Sequence, residues 1–365
     1  MLRPRGDCDM HHRMTSLERI ESTLKGEIPD IVPVFPRDLT LSLDVVPFTT
    51  SEVCGDGYDA EKASRSVIAL QGMIGHDAVV GAIHYMGMEL PALGGELNFP
   101  EWGIPSVTGH PFENFERIDS AQVPDVNRDE PLCSIMESYD RVCSEIGGRV
   151  AVIPNVEGPM TKAGLLRGID NLSLDLVTRP ELVERLIDFS TEMALDFIRG
   201  AAEKGAAPFV FLASATDNPD LFGAEVFQRF SLRPLERIVK EAAKVGLKTI
   251  FHPHGVFQGD FAPLVDEAMS TGISGFQFAE RNDLPAAKKR WGSRTCILGG
   301  VDAFTTLLLG PSSRIEEDVR RFMDSCAPGG RYVFMCSGSL HRGLPIEHLQ
   351  AMVNSCRKYG RYPLS

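Results

Sequence analysis

A chain of 365 residues with 43% hydrophobic and 24% charged residues has the composition of a globular protein with ample core, and its 37 Lys and Arg against 50 Asp and Glu give a formal net charge of −13. That acidity argues against a broad nucleic-acid surface or an anionic-membrane surface, and no apolar run is long enough to span a bilayer. None of the eight cysteines (Cys8, Cys54, Cys133, Cys143, Cys296, Cys326, Cys336, Cys356) forms a C-x-x-C pair and no secretory signal precedes them, so free thiols in a reducing cytoplasm are expected.

Residues 1–13 lack periodicity and read as a flexible N-terminal tail, with Met14 a candidate start of the folded part; residues 14–365 read as one domain. A helix follows to Gly26, with Ser16 as candidate N-cap and Leu17, Ile20 and Leu24 on one face. The run from Ile31 to Pro36 reads as a short first strand whose prolines favour an edge position. Residues 42–57 are read as irregular, 60–73 as a helix and 77–82 as a strand. A long Gly- and Pro-rich stretch, 87–127, reads as functional loops or a small excursion from the core. A helix over 135–146 closes this part.

Beyond it, strands and helices alternate. Strands are predicted over 149–156, 209–213, 249–255, 275–279, 296–302 and 332–336. Helices are predicted after Pro159, over 180–204, 224–245 (interrupted at Pro234), 261–269 and 314–326, with a final one over 347–359. About eight short apolar strands, most followed by helices, point to a (β/α)8 TIM barrel with an N-terminal helical extension and long loops. An open doubly wound sheet is disfavoured because no G-x-G-x-x-G follows a first strand.

Chemistry in such a barrel sits at the carboxyl ends of the strands, where Glu157, Asp217, His252, His254, Glu280, Asp302 and Cys336 fall. Each alone has a plain alternative, such as capping a helix or shaping a turn. Taken together at one rim they point to a site. His252 and His254 are two apart on a strand, so both rings take one face. Two imidazoles, the Cys336 thiol and the Glu157 carboxylate are donors suited to zinc, with one position left for a ligand. That metal reading requires the sulfur to converge with both rings. Asp217, Glu280 and Asp302 are candidates for orienting substrate or relaying a proton. Arg37, His341 and Arg342 are candidates for binding it, Arg37 through a carboxylate or phosphate.

The motifs Thr15-Ser16-Leu17-Glu18-Arg19, Gly26-Glu27-Ile28-Pro29-Asp30-Ile31-Val32-Pro33-Val34, Phe99-Pro100-Glu101-Trp102-Gly103, Glu157-Gly158-Pro159-Met160-Thr161, Gly299-Gly300-Val301-Asp302 and Gly343-Leu344-Pro345-Ile346-Glu347 give the chain a resemblance to the uroporphyrinogen decarboxylase superfamily. Within it the chain resembles the zinc-dependent, corrinoid-linked methyltransferases of the methylcobamide:coenzyme M type. The resemblance implies a (β/α)8 barrel. True decarboxylases of the family carry an Arg-rich motif after the first strand, where this chain has Pro36-Arg37-Asp38-Leu39-Thr40, so porphyrinogen decarboxylation is disfavoured. The methyltransferase branch implies His-x-Cys and a distant cysteine on zinc; here His254 replaces the first cysteine and Cys336 stands a couple of residues early.

The resemblance therefore implies a zinc methyltransferase moving a methyl group between a small molecule, methoxylated or thiol, and a corrinoid (methylcobalamin) carried by a separate protein. No Asp-x-His-x-x-Gly cobalamin signature lies in this chain. A monomer or homodimer is expected. Two alternatives stand beside this reading: a carboxy-lyase in which Asp38 or Asp302 stabilises a protonated pyrrole, and a non-catalytic corrinoid- or tetrapyrrole-binding barrel.

Overall fold

The computed structural model describes residues 14–55 and 57–364, so the predicted tail lies outside the described residues. Ten strands are present among them: β1 (Ala78–Val80), β2 (Glu96–Asn98), β3 (Ser106–Gly109), β4 (Ala151–Ile153), β5 (Asn155–Glu157), β6 (Phe209–Ser214), β7 (Lys248–Pro253), β8 (Gly275–Gln277), β9 (Cys296–Gly299) and β10 (Tyr332–Phe334). Six of them pair in parallel in the order β5-β6-β7-β8-β9-β10, and β1 pairs in parallel with β4. Strands β4 and β5 are one course of chain bent at Pro154, whose carbonyl accepts from Phe211 N at 2.9 Å.

The remaining gap is filled by the extended segment 31–35. Val34 bridges Phe334 in parallel on one side, while on the other Val34 O accepts from Asp77 N at 2.9 Å. Segment 31–35, β1, β4–β5 and β6 to β10 thus form a ring of eight strand courses, the expected (β/α)8 barrel. The first course is too short for a full ladder because Pro33 and Pro36 have no N–H to give.

Alternation sorts the strand residues into two cores. Phe209, Phe211 and Ala213 of β6, Ile250 of β7, Cys296 and Leu298 of β9, and Val333 with Met335 at β10 fill the lumen with Phe35, Ala78, Val80, Ala151 and Ile153. Phe35 meets Phe209 and Phe211 edge-on, at 5.9 and 5.6 Å between centroids. The intervening residues Val210, Leu212, Phe251, Ile297, Tyr332, Phe334 and Cys336 pack outward against the helices.

The helix Ser16–Lys25 closes the amino-terminal mouth with Ile20 and Leu24. Its N-cap is Thr15 rather than the expected Ser16, because Thr15 and Glu18 satisfy each other's backbone amides in a capping box. Ser16 instead donates to Asp77 at 2.8 Å. Fully buried Asp77 also accepts from Arg19 (2.6 Å), Val34 N (2.7 Å) and Arg357 (2.8 Å), tying the first helix, the first strand course and the last helix at one carboxylate.

Several local expectations change. Residues 42–57 are not irregular throughout but hold most of the 3-10 helix Leu41–Val45 and the short α-helix Thr50–Cys54. The predicted 224–245 helix is two, Pro219–Phe230 and Leu232–Lys244; the break falls at Ser231, and Pro234 sits in a first turn where its missing N–H costs nothing. Helices Ile169–Thr178 and Leu284–Trp291 and the antiparallel hairpin β2–β3 were not anticipated. The hairpin lies inside the 87–127 excursion.

Candidate active site at the carboxyl ends of the strands

A cavity of about 280 Å³ opens at the carboxyl ends of the strands. Arg37, His84, Asn155, Glu157, Thr161, His254, Ser339 and His341 supply its polar lining, and Leu39, Met86, Ile104 and Ala213 are among its apolar walls.

Strand β7 delivers the two histidines as the alternation requires. Ile250 faces the lumen, so His252 and His254 follow on the same side, their ring centroids 4.8 Å apart. Burial, then His254 and the Arg37 charge, hold His252 well below the usual imidazole range, and its Nδ1 is buried with no hydrogen-bond partner. His254, more open, is lowered by burial and Arg37 against a weaker opposing pull from Glu280. Both are thus neutral, the form that ligates metals.

The rest of the predicted zinc set does not join them. In the lumen at β10 stand Val333 and Met335, and Cys336 takes the opposite parity, in the outer core. Its thiol lies 3.4 Å from Pro36 O and 3.0 Å from Gly338 O, both acceptors, and burial pushes it up to about 12. A thiol so placed is a neutral donor to backbone, not a thiolate ligand. Glu157 is also engaged elsewhere: Oε1 is 2.8 Å from His84 Nε2 and Oε2 is 3.5 Å from Lys162 Nζ. Among the described residues no group of three or more His, Cys, Asp or Glu is gathered around a point that could hold an ion. A catalytic zinc takes three protein ligands, and His252 with His254 fill two. The expected set His252, His254, Cys336 and Glu157 therefore does not fit the ion as a unit, and the parity of β10 is the reason.

Arg37 is where the sequence placed it, just past the first strand course, with φ of +42°, a left-handed conformation uncommon outside glycine. It is buried; Nε donates to Asn155 Oδ1 at 2.9 Å and the guanidinium lies 4.8 Å over the Phe211 ring. No carboxylate of the described residues stands within ion-pair distance of it. Burial lowers it to about 10, which leaves it cationic at neutral pH. An unneutralised buried guanidinium on a cavity wall is a place for an anion.

His341 also lines the cavity, its Nδ1 3.1 Å from Thr40 Oγ1 and its Nε2 2.8 Å from Ser339 Oγ. Burial, then Arg37 and His84, lower it to about 4. Arg342 has turned away from the cavity: it pairs with Asp44 at 2.8 Å and stacks 4.0 Å over Trp102, pinning the loop excursion to the barrel. Asp302 caps the short helix Ala303–Leu308 by accepting from Phe304 N and Thr305 N, both 2.8 Å. Asp217 accepts from Ser231 Oγ and is raised by burial to about 6. Glu280 is exposed at the end of the β8 course. None of Asp217, Glu280, Asp302 and Arg342 lines the cavity. Asp38 is raised by burial to about 6 and accepts from Leu41 N at 2.6 Å.

Sequence reasoning missed His84, Lys162 and Glu89. Lys162 pairs with Glu89 as well as Glu157, and all four groups are buried. Burial alone would raise Glu157; the His84 and Lys162 charges outweigh it and lower the carboxyl to about 2. The Lys162 ammonium is held up by the two carboxylates against its own burial. His84 was within reach of the reading, since it follows the predicted strand 77–82 at its carboxyl end.

A barrel of this topology, with its cavity at the carboxyl ends, is matched over residues 15–359 by the uroporphyrinogen decarboxylase (URO-D) family. The chain belongs to that family. It is 27% identical to the methylcobamide:CoM methyltransferase MtaA of Methanosarcina barkeri, over 93% of this chain and 97% of that one. It is 24% identical to the methylated-thiol–coenzyme M methyltransferase of Methanosarcina mazei, over 75% of this chain and 70% of that one. The fold superimposes on a solved methyltransferase from Methanosarcina mazei with a TM-score of 0.82 at 24% identity, covering 95% and 99% of the two chains.

Proposed function

We propose that the protein is an enzyme that moves a methyl group between a small methoxylated compound or thiol and a corrinoid carried on a separate protein. The expected Cys336 ligand would have argued for this through zinc; with the sulfur on the outer face, that support is gone. The size and charge of the cavity carry the reading instead. At about 280 Å³ it sits at the lower edge of the usual range for drug-sized ligands, ~300–1,000 Å³, and suits a small molecule better than a tetrapyrrole. It offers one guanidinium, whereas a porphyrinogen with many carboxylates needs several cations. The names of relatives matched over most of this chain point the same way.

In this reading Arg37 holds an anionic group of the substrate, and Leu39, Met86 and Ile104 exclude water around the methyl-bearing atom. The corrinoid, when docked, supplies the metal centre that gives or accepts the methyl. The neutral imidazole of His254 borders the same space, with the His252 ring buried beside it, and no step is assigned to a zinc ion.

The test mixes the protein with a reduced corrinoid protein and a panel of methoxylated compounds and methyl thioethers, and separately with uroporphyrinogen. Methyl transfer from one of the small compounds is expected. Release of CO2 from the porphyrinogen, without methyl transfer from any small compound, overturns the reading.

A further inference from the structure

Exposure orders the cavity wall by depth. Arg37 is 7% exposed, whereas Met86 and Ile104, lining the same space, are 44% and 45% exposed and so stand at its opening. Neither sits on a strand: Met86 follows β1, and Ile104 belongs to the strap 100–105 within the 87–127 excursion. Two features bring these segments together. Tyr85, beside Met86, meets Phe99 edge-on at 5.6 Å between centroids. Gly87, at φ of +81°, lets the segments close up, since a side chain there would come to 2.8 Å from Val107. The strap is also fixed on its far side. Glu101 O accepts from Thr50 N at 3.0 Å, and Gly103 O accepts from Thr50 Oγ1 at 2.9 Å. The Trp102 ring lies 4.0 Å from the Arg342 guanidinium, which is itself tied to Asp44 at 2.8 Å and donates to Phe48 O at 3.3 Å. Two half-exposed apolar side chains at an opening, held in place this firmly, form a contact surface for whatever part of a ligand lies there.

We propose that Met86 and Ile104 are specificity-determining residues of this site, a lip that limits the alkyl group at the opening to methyl, and that Trp102 is a positioning residue for Ile104. The proposal rests on the methyl-transfer reading for the orientation of the substrate. A corrin macrocycle is too large for a cavity of about 280 Å³ and can be met only at the opening. The methyl-bearing atom therefore lies between Met86 and Ile104, and the anionic end points inward to Arg37. An ethyl or propyl group in the same place presses on the lip, and the Trp102 stack and the Thr50 hydrogen bonds keep the strap from giving way.

Isothermal titration calorimetry measures Kd for 3-(methylthio)propionate, 3-(ethylthio)propionate and 3-(propylthio)propionate, each with a carboxylate for Arg37. The proteins are wild type, Ile104→Ala, Met86→Ala, Trp102→Ala and Trp102→Phe; all three positions are exposed, and circular dichroism verifies folding. Wild type is expected to bind the ethyl compound about tenfold more weakly than the methyl compound, the low end of the ~10–200-fold that one methylene makes in an apolar pocket, and the propyl compound more weakly still. In Ile104→Ala the three Kd values come within about threefold of one another, and Met86→Ala narrows them in the same sense. Trp102→Ala also narrows the spread, and Trp102→Phe, which keeps an aromatic face for Arg342, restores it. A wild type that binds all three compounds equally, or none of them, overturns the proposal, as does a spread unchanged in both Ile104→Ala and Met86→Ala. A spread unchanged in Trp102→Ala overturns the role of Trp102. The expected binding pattern without methyl transfer to a reduced corrinoid protein refutes the methyl-transfer reading and leaves the lip standing; transfer without the pattern does the reverse.

Discussion

Two sides of the barrel mouth are built on different physics. At the end of β7, His252 and His254 sit side by side as uncharged rings, one with a ring nitrogen unpaired, and the Arg37 cation beside them outweighs the pull of Glu280 on His254. Across the mouth, between β1 and β5, His84, Glu157, Lys162 and Glu89 form a buried chain of partnered charges. The contrast shows which groups the fold has neutralised for its own stability and which it holds in readiness. Partnered charges are costly to break, whereas the neutral pair and the unneutralised guanidinium cost the fold something until a ligand arrives.

The largest effect expected from breaking this division is at Glu157. Glu157→Ala leaves the Lys162 ammonium and the His84 ring without a shared carboxylate, and urea unfolding is expected to show a loss of about 3–5 kcal/mol, against less than about 1 kcal/mol for His254→Ala on the open side. Equal costs on both sides would erase the distinction.

Next is Arg37. Arg37→Met removes a buried cation that has no anionic partner, so the empty protein is expected to gain about 1–2 kcal/mol in urea unfolding, while KM for 3-(methylthio)propionate rises roughly 30-fold or more. A destabilised Arg37→Met with unchanged KM would mean that Phe211 and Asn155 use the guanidinium for packing alone.

Acid and base should pull the two kinds of buried group in opposite directions. Asp217 has its folded value raised by burial to about 6, from 3.8, so it contributes stability that is full below pH 3.8 and lost as pH rises to 6. Asp217→Asn is thus expected to be more stable than wild type above pH 6, by about 3 kcal/mol at most, with the gain vanishing below pH 4. His341, lowered by burial from 6.5 to about 4, works the other way: the folded ring resists the proton that the unfolded chain accepts, and stability falls as pH drops from 6.5 to 4. Unfolding free energies measured from pH 3 to 8 check both signs.

The smallest effect is expected at Cys336. Cys336→Ser keeps the weak donation to the Pro36 and Gly338 carbonyls, so activity is expected within threefold of wild type, and whatever zinc copurifies is unchanged. Loss of bound zinc together with activity would return the thiol to the site.

Much of this was legible in the sequence. The strand count, the position of Arg37 and the shared face of His252 and His254 follow from alternation and from turn residues alone. The error at Cys336 came from treating a strand end as a point. The same alternation, applied to Val333 and Met335, puts position 336 on the helix side. Lys162 and Glu89 were harder to see, because a lysine in the helix Pro159–Arg167 reads as a solvated residue until the Glu89 carboxylate, 73 positions away, is brought against it. The capping of Ala303–Leu308 by Asp302 and the tie between Arg342 and Asp44 show the plain alternatives winning where a loop had to be fixed.

Methyl transfer itself is tested most directly by mixing wild-type protein anaerobically with a reduced corrinoid protein and 3-(methylthio)propionate or 3-methoxypropionate, and following the cobalt absorbance. Conversion to the methylated corrinoid, slowed in Arg37→Met, is the expected result. A spectrum that stays reduced with every small donor, while the same preparation releases CO2 from uroporphyrinogen, would contradict it.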